Sequence, residues 1–548
     1  MTNRRSWIVA AGAVAVLALG ACSVQKNASG SGQGTGSGGD KPRYGGTMTV
    51  AYQSDPKTFD PAVCYDATCW NNMRMLYDRL YDYRRDTNEL ALQAAAAFPQ
   101  VSSDGLTYDV KIKPGLQFSD GRPVRARDFA YSFSRILDPK TKSPVRGFWT
   151  GVAGAEEYAK NPAGTVSGIK AVSDDELKIT LTAPNSAFKY VLAMPHASVI
   201  PEGSGDKVAT RPVGSGPFVF KSFTAGQQIV LDRNKSYWEK PKPYVDQVVE
   251  KLGVSPEVQL LQLEKGQIDL MGDPIPPAQY LSVSNDASLK SQTVNMTKPS
   301  TYYLTMNVRM KPFDNPLVRQ AVSYAIDRSF LLKLVNGQGT TANEFLPPGV
   351  LGHTDENLVQ RQDIDKAKQL LAQAGYPNGL STTIYSWNTP PWTNLVPQIQ
   401  QDLGKIGIRV EPRPIQQSAF FDLASTPGKA PMTLTFWVAD YPDGSDFFQA
   451  LLGCAAAVPG GQNYSFYCNK DVDRLVNQAL AAKSTDQAQR HYVEATRKLL
   501  ADNPIVPLYY GTKTEVFGKK VGGYFPQPIW GWDMTNYWKT DGAAQASS

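Results

Sequence analysis

Thr433-Leu434-Thr435-Phe436-Trp437-Val438-Ala439-Asp440-Tyr441-Pro442-Asp443 joins an apolar, β-branched and aromatic run to an acidic turn. Residues 432–438 read as a strand. Upstream, 408–411 and 382–386 read as strands, 395–405 as a helix, and 364–374 as a helix capped by Gly375. Asp314-Asn315-Pro316 is a helix start with proline in the first turn. Val318, Ala321, Val322, Ala325 and Ile326 then fall on one apolar face, with Gly337 as the stop. This strand–helix–strand alternation predicts an α/β fold with a largely parallel sheet. Ligands of such sheets sit beyond the carboxyl ends of the strands, which directs attention to Trp437 through Asp446.

The N-terminal half has a different texture. Residues 45–52 read as a strand and 58–61 as a turn. Residues 101–112 read as strand–turn–strand around Asp104-Gly105, and 118–121 hold a second Asp-Gly turn. Phe129, Phe133, Ile136 and Leu137 share a helical face that Asp138-Pro139 ends, and 169–181 form a hairpin turning at Asp174-Asp175. The block 73–194 is therefore expected to be a compact α+β unit. After it, 214–220 and 228–231 read as strands, 258–263 as a helix stopped by Gly266, and 268–270 as a short strand.

Arg4 and Arg5 precede an apolar run that ends in Leu19-Gly20-Ala21-Cys22. That is a signal-peptide layout, too short to span a bilayer comfortably. The tetrad resembles a bacterial lipobox, which makes Cys22 the lipidated first residue of the mature chain. It places the protein outside the cytoplasm, held to the outer face of the cell membrane by lipid (palmitate among the acyl chains). Arg4-Arg5 also leaves the twin-arginine export route open beside the general one. The 18 residues Ser23 to Asp40 are mostly Gly, Ser and small polar residues. As a coil they span roughly 25 Å, a flexible tether.

About 500 residues follow the tether, enough for two or three domains. Lys+Arg 56 against Asp+Glu 50 gives +6, and removing Arg4 and Arg5 leaves +4. The charges are interspersed, with no basic block of the kind that grips nucleic acid. Four cysteines remain beside Cys22: Cys64, Cys69, Cys454 and Cys468. Outside the cell an even number indicates disulfides, of which Cys64–Cys69 with Cys454–Cys468 is the simplest of three pairings. A four-cysteine zinc site is the competing reading, although neither spacing is that of a zinc knuckle. The three histidines, His196, His353 and His491, lie far apart, and the chain has no H-E-x-x-H, G-x-S-x-G or phosphate-loop motif. Asp440, Asp443 and Asp446 lack the alternation of a calcium loop. No enzyme activity, metal or cofactor is expected.

Several short segments carry a resemblance when taken together. They are Ser103-Asp104-Gly105-Leu106-Thr107-Tyr108, Phe118-Ser119-Asp120-Gly121, Gly214-Ser215-Gly216-Pro217-Phe218, Asn234-Lys235-Ser236-Tyr237-Trp238 and Leu263-Glu264-Lys265-Gly266-Gln267-Ile268-Asp269. Further along come Val318-Arg319-Gln320-Ala321-Val322-Ser323-Tyr324-Ala325-Ile326-Asp327-Arg328, Ala372-Gln373-Ala374-Gly375-Tyr376 and Asp440-Tyr441-Pro442-Asp443. In this order they resemble the extracytoplasmic solute-binding proteins of peptide ABC importers, the oligopeptide/dipeptide-binding lipoproteins, over residues 41–540. The resemblance implies a two-lobed, Venus-flytrap fold with an extra domain inserted in the first lobe. The first lobe would take 41–72, 195–307 and 520–540, the inserted domain 73–194, and the second lobe 308–519.

The resemblance also implies roles. Asp440 matches the aspartate that pairs with a peptide's α-ammonium. Trp437, Val438 and Ala439 match the strand that bonds the peptide main chain. Cys64, Tyr65 and Asp66 fall where the other lobe contributes its facing segment. Dipeptide-specific relatives hold the C-terminal carboxylate with an arginine, whereas Ser386-Trp387-Asn388-Thr389-Pro390-Pro391-Trp392 contains none. Trp387 and Trp392 are candidates to line side-chain pockets, and oligopeptides become the expected ligand. The implied partners are an oligopeptide and the permease subunits of an ABC transporter, for a monomeric receptor. The alternative is a non-peptide solute of the same fold, an oligosaccharide or a metal chelate. A secreted hydrolase and a signalling lipoprotein are the other classes considered.

Overall fold

A computed structural model describes residues 41–85 and 87–544. The lipobox with Cys22, the signal segment and the tether lie outside the described residues. Two sheets organise the chain into two lobes. The first has five strands: β1 (Thr47–Ala51), β2 (Phe218–Thr224), β3 (Gln228–Arg233), β4 (Gln247–Lys251) and β5 (Leu270–Met271), in the order β5-β1-β4-β3-β2. Met48, Val50, Ile229, Leu231, Val248 and Leu270 put their side chains into one core. Helix α1 (Ala67–Leu76) packs there too, started by Asp66, whose Oδ1 accepts from the Cys69 N–H at 2.8 Å.

The second sheet has six strands: β6 (Thr293–Met306), β7 (Gly339–Thr341), β8 (Leu380–Trp387), β9 (Ile408–Ile415), β10 (Met432–Val438) and β11 (Ile505–Val516). Their order is β7-β11-β6-β10-β8-β9. Helices α2 (Pro316–Ala325), α3 (Ile364–Gln373) and α4 (Trp392–Gly404) cover it, burying Val318, Val322, Leu371, Leu395 and Ile399 against Leu304, Ile384 and Leu434. A four-stranded antiparallel sheet from residues 100–180 and the helix Ala126–Leu137 form the inserted unit. Its core of Phe129, Phe133 and Trp149 runs without interruption into that of the helices around Phe447, Tyr492 and Leu499.

Three expectations need correction. The second sheet is mixed rather than largely parallel. Only β8 pairs in parallel, with β9 and with β10, while β6 is antiparallel to both β10 and β11. The helix read as continuing to Gly337 breaks after Ala325, because Asp327 caps a second helix, Arg328–Leu334, through a bond from the Phe330 N–H at 3.0 Å. The strand read at 214–220 starts only at Phe218. Gly214 and Gly216 lie flat on the 76–77 backbone, where a Cβ on Gly214 would stand 1.9 Å from the Leu76 carbonyl oxygen.

Candidate functional site

The site follows from the way β10 loses one neighbour and keeps the other. Against β6 it pairs along its whole length, from Met432↔Met306 to Val438↔Ser300. The next residue continues the ladder, with the Ala439 N–H donating to the Pro299 carbonyl at 2.8 Å. Against β8 it pairs only at Met432 and Thr433. From Leu434 onward one edge of β10 is open. Main-chain groups alternate sides along an antiparallel strand. Because Ala439 faces β6, so does Trp437, which leaves the N–H and C=O of Phe436 and Val438 directed to the open edge.

That edge borders a cavity of about 570 Å³, with Trp387, at the end of β8, and Trp437 among its walls. Trp392 stands behind the wall, 2% exposed, its ring 5.2 Å from Trp387 and 5.6 Å from Phe436. It supports the lining and does not contribute to it.

Residues from the first lobe close the other side. The Tyr65 hydroxyl donates to Asp440 Oδ2 at 2.6 Å, joining two segments 375 residues apart. Tyr65 sits between Cys64 and Cys69, which are disulfide-bonded and tie its loop to the first turn of α1. Cys64 does not face the cavity as expected of it. Its side chain is fully buried in the first-lobe core, and only Tyr65 and Asp66 reach the lining. The other pair is Cys454–Cys468. The zinc alternative therefore has no free thiolates to draw on.

The acidic turn after β10 is buried. Asp443 caps α5 (Gly444–Leu451), and its Oδ1 accepts from Ser445 N–H at 2.9 Å and from the Tyr492 hydroxyl at 2.5 Å. Asp446 Oδ2 accepts from the Trp437 indole N–H at 2.9 Å and the Asp440 N–H at 3.0 Å, while its Oδ1 has no partner. Asp440 is 6% exposed. Burial pushes its carboxyl up to about 7, against the pull of the Tyr65 hydrogen bond. Asp446 is pushed well up too, by burial and then by Asp440. Among the described residues no Lys or Arg pairs with Asp440, Asp443 or Asp446, whose side chains do not converge as metal ligands. Two neighbouring carboxyls that are costly to ionise together favour an incoming cation.

Sequence reasoning missed the Tyr65 hydroxyl as the partner of Asp440, Asp446 as the orienter of Trp437, and the lining residues Lys298, Lys513, Trp530 and Trp532. Three indole N–H groups around the cavity, from Trp70, Trp387 and Trp530, have no acceptor in the protein. Apart from Trp387, no local pattern announces these residues, since they come from separate segments of the chain.

The chain is similar to known proteins over nearly all of its length. It is 27% identical to Heme-binding protein A of Haemophilus influenzae over 543 residues, 94% of this chain and 96% of that one. It is 27% identical to the Dipeptide-binding protein of Escherichia coli over 507 residues, 88% of this chain and 92% of the other. In three dimensions it matches the ABC transporter-associated periplasmic binding protein DppA of Helicobacter pylori in complex with the peptide STSA. That match has a TM-score of 0.75 and 27% identity, over 91% of this chain and 99% of that one. The profile of the bacterial extracellular solute-binding proteins, family 5, matches residues 89–458. The two-lobed α/β architecture is that of such proteins, and the chain belongs to the bacterial extracellular solute-binding proteins of family 5.

Proposed function

We propose that this protein is a receptor that captures peptides outside the cytoplasm and delivers them to an ABC import permease, without chemical change to the peptide. The observation that carries the reading is the open edge of β10 inside the cavity, ending at Asp440. An extended ligand added to that edge would bond the main-chain groups of Phe436 and Val438, which every peptide can satisfy. Its α-ammonium would then meet Asp440, displacing the Tyr65 hydroxyl or sharing the carboxylate with it. Trp387 and Trp437 would bound side-chain pockets. A relative named for dipeptides and a structural neighbour holding a tetrapeptide support this reading.

The remaining parts of the reading are a lipid on Cys22, a tether over 23–40, a monomeric state, and lobes divided at 41–72, 195–307 and 520–540, 73–194, and 308–519. The relative named for haem favours a second reading, in which the aromatic walls hold a non-peptide solute. Native mass spectrometry of the mature protein purified from its own cells distinguishes the two. Peptide masses in the cavity support the first reading, and a sugar, chelate or tetrapyrrole mass overturns it. Cys22→Ser should move the protein from the membrane fraction to the soluble one.

A further inference from the structure

The cavity has a second charged pole that the peptide-ammonium argument leaves unused. Strand β6 pairs with β11 up to Thr297 and again from Thr301, and Lys298 lies in the gap between. Its side chain lines the cavity. Among the described residues its ammonium has no carboxylate within 4.0 Å and no hydrogen-bond acceptor. Lys513 lines the same corner, but its ammonium pairs with Glu515, and Glu515 also accepts from the Tyr524 hydroxyl at 2.5 Å. Two cations face one engaged acid, so the corner carries one uncompensated positive charge, at Lys298.

Lys298 is half-buried. Burial and then Lys513 push the Lys298 ammonium down to about 8, with Glu515 acting the other way. It stays mostly protonated at neutral pH, at a cost that an arriving anion relieves. The surroundings are also short of acceptors, since the indole N–H groups of Trp70, Trp387 and Trp530 are unpartnered. The acid pole lines the same cavity, and Asp440 and Lys298 make neither a hydrogen bond nor an ion pair with each other. A ligand in the slot between them meets a carboxyl and an ammonium that are not spent on each other.

We propose that Lys298 is the anion-binding pole of this cavity, pairing with a carboxylate of the bound peptide. The inference rests on the peptide reading above. It places the ligand's negative end on the strand that crosses between the lobes, and not on residues 386–392, which offer no cation. The carboxylate has two sources, the C-terminus or an acidic side chain.

The test uses the mature protein and a randomised tetrapeptide pool, supplied as free acids and as C-terminal amides, with bound species counted by mass spectrometry. Free acids should be retained about tenfold better than amides by the wild type, the effect of one charge-assisted contact. Lys298→Met should reduce that preference to within about twofold, and Lys298→Arg should keep it. If Lys298→Met does not fold, Lys298→Gln serves the same comparison, with thermal unfolding as the check. A preference confined to amides carrying Asp or Glu, and lost in Lys298→Met, assigns the side-chain carboxylate as the source. Equal retention of acids and amides with no acidic preference overturns the inference, as does a preference that survives Lys298→Met, and either leaves the peptide reading standing. If the wild type retains no pool member, the peptide reading fails and this inference falls with it.

Discussion

Asp440 is a carboxyl whose energetics change sign with its partner. With only a hydroxyl as partner it resists ionisation, and burial carries it from an ordinary 3.8 up to about 7. With an ammonium in place, the ionised form becomes the stable one. Asp440→Asn keeps the shape and an acceptor for Tyr65 while removing the charge. It should weaken binding of a good peptide by about 3 kcal/mol, roughly a hundredfold, and leave N-acetylated peptides unaffected. Calorimetry with the paired peptides checks both halves, and equal affinities for variant and wild type would remove Asp440 from the site. The ligand-free protein offers a second reading of the same group. A carboxyl with a raised folded-state pKa binds its proton more tightly folded than unfolded. Its stabilisation is complete below 3.8 and is lost as pH rises to about 7. Asp78 and Glu250, also pushed up to about 7 by burial, lose stability over the same window, so the difference between proteins is what counts. Between pH 4 and 7 the melting temperature of Asp440→Asn should fall less steeply than that of the wild type.

At the scale of elements, the open edge of β10 and the two disulfides make separate predictions. Val438 directs its N–H away from β6, so Val438→Pro removes a donor to the ligand without removing a rung of the β6 ladder. Peptide affinity should drop about tenfold, the worth of one hydrogen bond in a desolvated slot, with the melting temperature nearly unchanged. A variant that binds as the wild type does would show that ligands do not add to this edge. The Cys64–Cys69 clip encloses Tyr65, whereas Cys454–Cys468 closes a longer loop distant in sequence from it. Replacing the first pair by Ala should cost about 2 kcal/mol and also weaken peptide binding, through a freer Tyr65. Replacing the second should cost about 3 kcal/mol and also weaken binding, because its loop carries the lining residues Gln462 and Tyr464. Chemical denaturation and calorimetry on both double variants measure the two effects.

The same elements show what the sequence discloses. Helices α2 and α3 were legible because Asn315-Pro316 and Gly375 mark their ends and their apolar faces repeat at helical spacing. Strand β10 was legible because seven apolar or β-branched residues run without a breaker. The long strands β6 and β11 were not, although they join the lobes. Pro299, Pro507 and Gly511 interrupt their patterns, and their exposure changes along their length: Asn295 is open while Thr301 and Leu304 are buried. No single two-residue alternation describes a strand that serves two environments. For the same reason Lys298 gave no signal, since its meaning comes from Lys513, Glu515 and a cavity assembled from distant segments.

The whole molecule is held across its slot by contacts of unequal character. On one side the lobes are joined covalently by β6 and β11, whose ladder slips twice, between Thr297 and Thr301 and between Tyr302 and Tyr303. On the other they meet through hydrogen bonds from the Tyr65 hydroxyl to Asp440, from the Asn88 amide to the Gly349 carbonyl and from the Ser186 N–H to the Leu480 carbonyl, and through an apolar core that the inserted unit shares with the second-lobe helices. Tyr441 belongs to that seam, stacked on Tyr190 at 6.2 Å and edge-on to Phe148 at 6.2 Å. A ligand decides between open and closed forms only as far as its contacts differ between them. Gly511 lies at the slip, where a Cβ would stand 2.6 Å from Ser300 Oγ and 3.2 Å from the Tyr302 ring. Gly511→Val should therefore hinder the rearrangement of the crossing strands. Small-angle scattering of the wild type should show a smaller radius of gyration with saturating peptide than without. The variant should show a reduced change and a weaker affinity. A wild-type radius that does not respond to peptide would mean that the cavity fills without lobe movement, and β6 and β11 would then be rigid struts in place of a hinge.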